Sequence, residues 1–314
     1  MRYHINKFLL LAFCLHQPLQ AITLVYNMKI RRVFEANTLS NKENKSRWVA
    51  TAVPIVYTRN RTIVDNALGI NVCEQIIIGG ALLNLRYISP ESSWVEVTTG
   101  IEKEHVKSQG SSVFTNSRTG LDDIVISVGH NIFPTDKTQI VFYGLAGLPT
   151  HRKVTLLETF NTPVGTRFFS VGLGSEFSYS FINTIQKSLL VLLQARFVHF
   201  FNRNWSPILP VDAKIQPGNV TDLLFTAQYR KRRNIFETGY NPTFFTNQAV
   251  ILKTGTVPGP HFVRHSVYGS FAHVCKHFPV LKTPVIVGTG FSVGASQRFD
   301  TRIFSCWVNI STIF

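Results

Sequence analysis

The stretch Arg302-Ile303-Phe304-Ser305-Cys306-Trp307-Val308-Asn309-Ile310-Ser311-Thr312-Ile313-Phe314 decides the reading of this chain. Counted in twos from the end, Phe314, Thr312, Ile310, Val308, Cys306 and Phe304 fall together, and Ser311, Asn309, Trp307 and Ser305 fall between them. Successive side chains of a strand point to opposite faces, so this is a strand with one mainly apolar face and one mixed face.

The same two-face pattern recurs upstream. Phe169, Val171, Leu173, Phe177, Tyr179 and Phe181 alternate with Ser170, Gly172, Gly174, Glu176, Ser178 and Ser180. Leu223, Phe225, Ala227 and Tyr229 oppose Asp222, Thr226, Gln228 and Arg230. Phe236, Thr238, Tyr240 and Phe244 oppose Glu237, Gly239 and Asn241. Val285, Val287, Thr289, Phe291 and Val293 oppose Gly288, Gly290, Ser292 and Gly294. Strands are expected near 47–58, 73–87, 91–103, 119–131, 137–147, 165–180, 187–202, 219–232, 233–245, 262–277, 283–295 and 302–314. The second, with its continuous apolar run 76–83, shows its faces least clearly.

The connections carry more weight than any one strand. Long ones are expected at 59–72, 104–118, 148–164, 203–218 and 246–261. Short ones fall at 88–90, around 133–136, near Asn183, at Arg232-Arg233 and at 278–282. They alternate, as the long extracellular loops and short periplasmic turns of a transmembrane barrel do. The connection 296–301 is short for a loop on the outer side. A secreted β-sandwich is the competing architecture, with irregular loops at both ends.

Composition agrees with a barrel. The 314 residues are 45% hydrophobic and 16% charged, with 25 Phe and 20 Gly, and no apolar run approaches the length of a transmembrane helix. A mean hydropathy of +0.10 is too low for a bundle of such helices. A barrel wall needs only alternate residues to face lipid, so moderate hydropathy suits it. The formal charge of +15 admits nucleic acid, anionic lipid or an anion-attracting pore as partners. The basic residues are scattered, and the one dense run is Arg230-Lys231-Arg232-Arg233. A nucleic-acid face with aromatic platforms is absent from the pattern, so nucleic acid is not expected.

Residues 1–21 have the form of a signal peptide: Arg2 and Lys7, an apolar segment 8–15, and a cleavage site after Ala21. Residues 22–46 are then a polar periplasmic lead-in and 47–314 the barrel. Removing Cys14 with the leader leaves Cys73, Cys275 and Cys306, whose spacing matches no zinc or paired-cysteine motif. No metal and no cofactor is expected.

A terminal strand ending on an aromatic residue resembles the last strand of bacterial outer-membrane β-barrel proteins, the porin-like superfamily. The resemblance extends over 47–314 in pattern and rests on that strand in motif. Thr312 departs from the aromatic residue often found two before the end. The resemblance implies an all-β fold, a single antiparallel transmembrane β-barrel of about 12 strands in the outer membrane. It implies Phe314 as the signal read by the barrel-assembly machinery, outer-membrane lipid as surroundings, and often passive transport.

The expected function is a porin-like channel for small polar or anionic solutes. The alternative is a non-conducting structural or surface-binding barrel, and the third reading is the soluble sandwich. Candidate pore-lining residues are Glu176, Gln194, Arg196, Asp222, Gln228, Arg230 and Glu237, with Glu96 and Asp123 behind them. The same residues would also suit an internal salt-bridge network with no through-path. Inward Gly and Ser are expected to leave room for water or relieve curvature. Trp48, Tyr57, Trp94, Tyr143 and Phe200 are expected at the lipid–water interfaces. Arg59, Arg61, Arg118, Arg152 and Lys153, placed in long loops, are expected to meet lipid phosphates. Some barrels of this family are phospholipases, which need a Ser and a His at close quarters. The nearest pair here, His265-Ser266, would point to opposite faces of one strand, so an enzyme is not expected.

Overall fold

The computed structural model describes residues 46–65, 70–109, 113–150, 168–184, 186–204, 213–247, 249–252, 255–258, 261–275, 284–296 and 301–313. The leader 1–21, the lead-in up to 45, Arg152, Lys153 and Phe314 lie outside the described residues.

The described elements are all strands: β1 Arg47–Asp65, β2 Ile70–Ile88, β3 Ser93–Gln109, β4 Val113–Leu121, β5 Ile124–Thr135, β6 Thr138–Leu148, β7 Ser170–Asn183, β8 Lys187–Phe200, β9 Arg203–Asn204, β10 Ala213–Gln216, β11 Asn219–Lys231, β12 Asn234–Thr246, β13 Ala249–Leu252, β14 Gly255–Pro258, β15 Phe262–Cys275, β16 Val285–Ser296 and β17 Thr301–Ile313. Each main strand pairs antiparallel with its sequence neighbour, and β17 returns to β1. With β4 and β5 as two parts of one stave, the wall is a closed 12-strand barrel. Closure leaves no unpaired edge, which is what a wall in lipid requires of its backbone.

All twelve expected strands are present. The two-face alternation also holds. Leu173 (66%), Phe181 (57%), Phe291 (54%) and Ile101 (52%) are exposed on the outer surface, while Val53, Val198 and Phe200 are fully buried inside. On β17, Phe304, Val308 and Ile310 face out, and Ser305, Trp307, Asn309 and Ser311 face in.

Two expected long loops are mainly strand. β1 and β2 remain paired as far as Asp65 opposite Ile70, and β3 and β4 as far as Gln109 opposite Val113. The outward residues of these extensions, such as Asn60, Gln75 and Lys103, are polar, so the apolar alternation that marks a strand stops before the strand does. The connections 203–218 and 246–261 hold a second, four-stranded sheet in the order β14-β13-β10-β9.

The interior differs from a plain polar lining. Val53, Ile55, Tyr57, Ile76, Ile78, Leu190, Leu192, Leu224, Tyr268 and Trp307 form one inward apolar cluster. A second joins Trp94, Val125, Tyr143, Leu145, Val198 and Phe200, among others. Trp48 is exposed as expected, but Tyr57, Trp94, Tyr143 and Phe200 point inward and are buried. Strand parity decides this, since each shares its face with the inward residues of its strand. Four inward rings cover a glycine directly opposite on the next strand: Trp94 over Gly129, Tyr143 over Gly174, Tyr268 over Gly239 and Trp307 over Gly290. These glycines make room for rings rather than for water.

Candidate functional site

The inward face holds most of the candidate residues. Glu176, Gln194, Arg196, Asp222, Gln228 and Glu237 are all inward and buried, and Arg230 is half-buried near the β11–β12 turn. Six of them form three cross-strand pairs. Gln194 stands opposite Glu176, and its Nε2 donates to that carboxylate and to the Tyr143 hydroxyl at 3.0 Å. Arg196 stands opposite Asp222 and donates from Nη2 to Oδ2 at 2.6 Å. The other oxygen of Asp222 accepts from Thr243 at 2.8 Å. Gln228 Nε2 donates to Glu237 Oε2 at 3.1 Å, again directly across a strand pair. Such opposed pairs are the stabilising unit of a sheet, and burial makes their completeness matter more.

Glu96 and Asp123 are inward and buried too. Arg86 Nε donates to Glu96 Oε2 at 2.8 Å, and the guanidinium lies 4.8 Å from the Trp94 ring centroid. Among the described residues, four inward buried charged ones are not marked by the sequence pattern: Arg86, Glu102, Asp122 and Arg264. Arg86 follows the apolar run of β2 that hides strand parity. Arg264 lies on β15, where His and Ser occur on both faces. Arg59, expected in a loop at lipid phosphates, is instead inside β1 and buried. Arg61 and Arg118 lie on β1 and β4.

Asp122 and Asp123 need a separate account, because adjacent strand residues normally point to opposite faces. Between Ile101 opposite Leu121 and Thr98 opposite Val125, two residues of β3 face three, Asp122, Asp123 and Ile124. That extra residue is a β-bulge, and it turns both carboxylates inward beside Glu102. Asp122 N–H donates to Gly100 O at 2.8 Å, Thr99 Oγ1 donates to Asp122 O at 3.3 Å, and Asp123 N–H donates to Asp122 Oδ1 at 2.7 Å. Among the described residues, buried inward carboxylates number seven (Glu96, Glu102, Asp122, Asp123, Glu176, Asp222, Glu237) against four arginines (Arg59, Arg86, Arg196, Arg264). The chain's large positive charge is therefore not concentrated on this buried inner surface.

His265 and Ser266 are split by the wall. His265 is exposed outside, with its Nδ1 2.6 Å from the Tyr240 hydroxyl, and Ser266 donates to Asn241 O at 3.2 Å. His273 Nδ1 lies 2.7 Å from Asn234 Oδ1.

No protein-family model and no curated protein sequence matches the chain. Solved structures do. An outer-membrane channel from Pseudomonas putida F1 is similar at a TM-score of 0.55 and 10% identity, over 84% of this chain and 96% of that one. The CymD monoaromatic hydrocarbon channel is similar at 0.41 and 10% identity, over 90% and 91%. The translocator domain of the autotransporter NalP from Neisseria meningitidis is similar at 0.42 and 10% identity, over 91% and 95%. The fold is thus that of the bacterial outer-membrane β-barrels.

Proposed function

We propose that the chain is an outer-membrane barrel acting as a channel for small polar solutes. The observation that carries this reading is the two-sided wall: a closed barrel with an apolar outer surface and hydrogen-bonded pairs of polar and acidic or basic side chains inside. Water or lipid alone would not select both faces at once. Charged side chains along an inner wall set solute preference by field and hydrogen bonding. The described buried charges do not favour anions, because carboxylates outnumber arginines on that surface. The expected route to the membrane is export, followed by assembly on the signal ending at Phe314.

The second reading is a non-conducting structural or surface-binding barrel. The inward apolar clusters and the low exposure of inward side chains favour it. Planar-bilayer recording on the refolded chain lacking 1–21 separates the two. Stable single-channel steps with a reversal potential that shifts in Glu176→Gln support the channel. Insertion without conductance supports the closed barrel. A protein that stays soluble without detergent and never inserts overturns both.

A further inference from the structure

We propose that the outward face of β3, at Lys103, His105 and Lys107, binds the phosphate of an anionic lipid in the leaflet at the long-loop end of the barrel. This rests on the membrane reading above. The apolar belt on this side of the wall ends at the paired Ile101 and Leu121 on β3 and β4 and reaches Ile77, level with His105, on β2; all three are exposed and face out. The next three outward positions of β3 beyond Ile101 are Lys103, His105 and Lys107. Both lysines are exposed. Their position at the hydrocarbon edge is where a bilayer passes to its headgroup phosphates, and Lys stems lie along the apolar wall while the ammonium reaches the boundary.

The neighbouring strands complete the site. Across β4, Lys103, His105 and Lys107 stand opposite Thr119, Ser117 and Thr115. His105 Nδ1 lies 2.7 Å from Ser117 Oγ, which fixes the ring and leaves Nε2 as its other polar atom. Across β2 they stand opposite Gly79, Ile77 and Gln75. Gly79 leaves a notch beside Lys103, since a side chain there would meet nothing within 4 Å. Glu102, the nearest described carboxylate along β3, is buried on the inner face. The outer wall here presents ammonium, imidazole and hydroxyl groups, and among the described residues neither lysine is ion-paired. Phosphate oxygens match that set, and a lipid tail continues down the apolar wall below Ile101.

The test is native mass spectrometry of the detergent-folded chain titrated with diphosphoryl lipid A. Lys103→Gln with Lys107→Gln is expected to weaken binding about tenfold or more. Lys187→Gln with Lys231→Gln, two exposed lysines at the short-turn end of the barrel, is the charge-matched control and is expected to leave affinity unchanged. Lys103→Arg with Lys107→Arg is expected to retain binding, and heat-dependent gel mobility checks that every variant is folded. Equal affinity in the glutamine variant and the parent overturns the site. Displacement by millimolar inorganic phosphate overturns its assignment to lipid. Failure of the parent chain to insert into liposomes overturns the membrane reading instead, whereas insertion with an unaffected glutamine variant overturns this inference alone.

Discussion

Trp307 shows what a single residue contributes to this wall. It faces inward, is nearly buried, and lies over Gly290 on the paired strand. A Cβ at Gly290 would overlap the indole ring, so the two positions are coupled. Gly290→Val is expected to lower the unfolding free energy by about 1–3 kcal/mol through overpacking. Trp307→Ala removes the ring and opens a cavity, with a cost of its own. The double variant is expected to lose less than the sum of the single losses, because the valine then has the ring's space. Urea unfolding in detergent, followed by gel mobility, measures the cycle. Strict additivity would mean the ring lies elsewhere. Period-two reading correctly puts Gly288 and Gly290 on the inner face. It does not show that a ring covers Gly290, because the register between β16 and β17 depends on tertiary pairing, not on either strand alone.

At the scale of elements, legibility follows solvent. Where the outer face is apolar and the inner face polar or small, the alternation is strong, and β7, β11, β12 and β17 are readable directly. Where both faces are polar, as at the far ends of β1 and β3, the strand continues without its signal. The bulge at Asp122-Asp123 is invisible for another reason: one extra residue changes no composition, only which face each carboxylate takes. Turns are easier to read. The basic run 230–233 does contain a turn, with Lys231 paired to Asn234 and Arg232-Arg233 between them. Arg232 has φ 55°, a left-handed conformation that costs an L side chain about 1–2 kcal/mol. Its N–H donates to Gln186 O at 2.6 Å, so the backbone is held there by a neighbouring turn. Arg232→Gly keeps that N–H and relieves the strain. It is expected to raise the unfolding free energy by about 1 kcal/mol, after glycine's added freedom in the unfolded chain is offset. No gain in the same urea assay would show that the side chain, not the backbone, sets this turn.

For the whole molecule, the decisive contact is the seam where the last strand meets the first. The sequence shows both strands and their faces, yet pairing residues some 250 positions apart is a long-range event that no local pattern reports. The structure pairs Val49 with Ile313 at one end of the seam and Asn60 with Arg302 at the other, with Val56 opposite Cys306. Val56 and Cys306 both face out and are exposed, so a second thiol at 56 would lie beside the first. Directly opposed residues of antiparallel strands have Cα atoms about 4.5–5.5 Å apart, within the range a disulfide spans. In a chain lacking 1–21, and so Cys14, with Cys73 and Cys275 changed to Ser, Val56→Cys is therefore expected to cross-link to Cys306 under mild oxidation in the folded barrel. The product is a covalent loop through nearly the entire wall, seen as altered mobility on a non-reducing denaturing gel. Val53→Cys on the same strand points into the interior and is expected to leave Cys306 free. Cross-linking at 53 rather than 56 would mean β17 is displaced or inverted against β1. Cross-linking at neither position, in protein that is otherwise folded, would mean the sheet stays open, and the exposed edges of β1 and β17 would then need another strand to cover them.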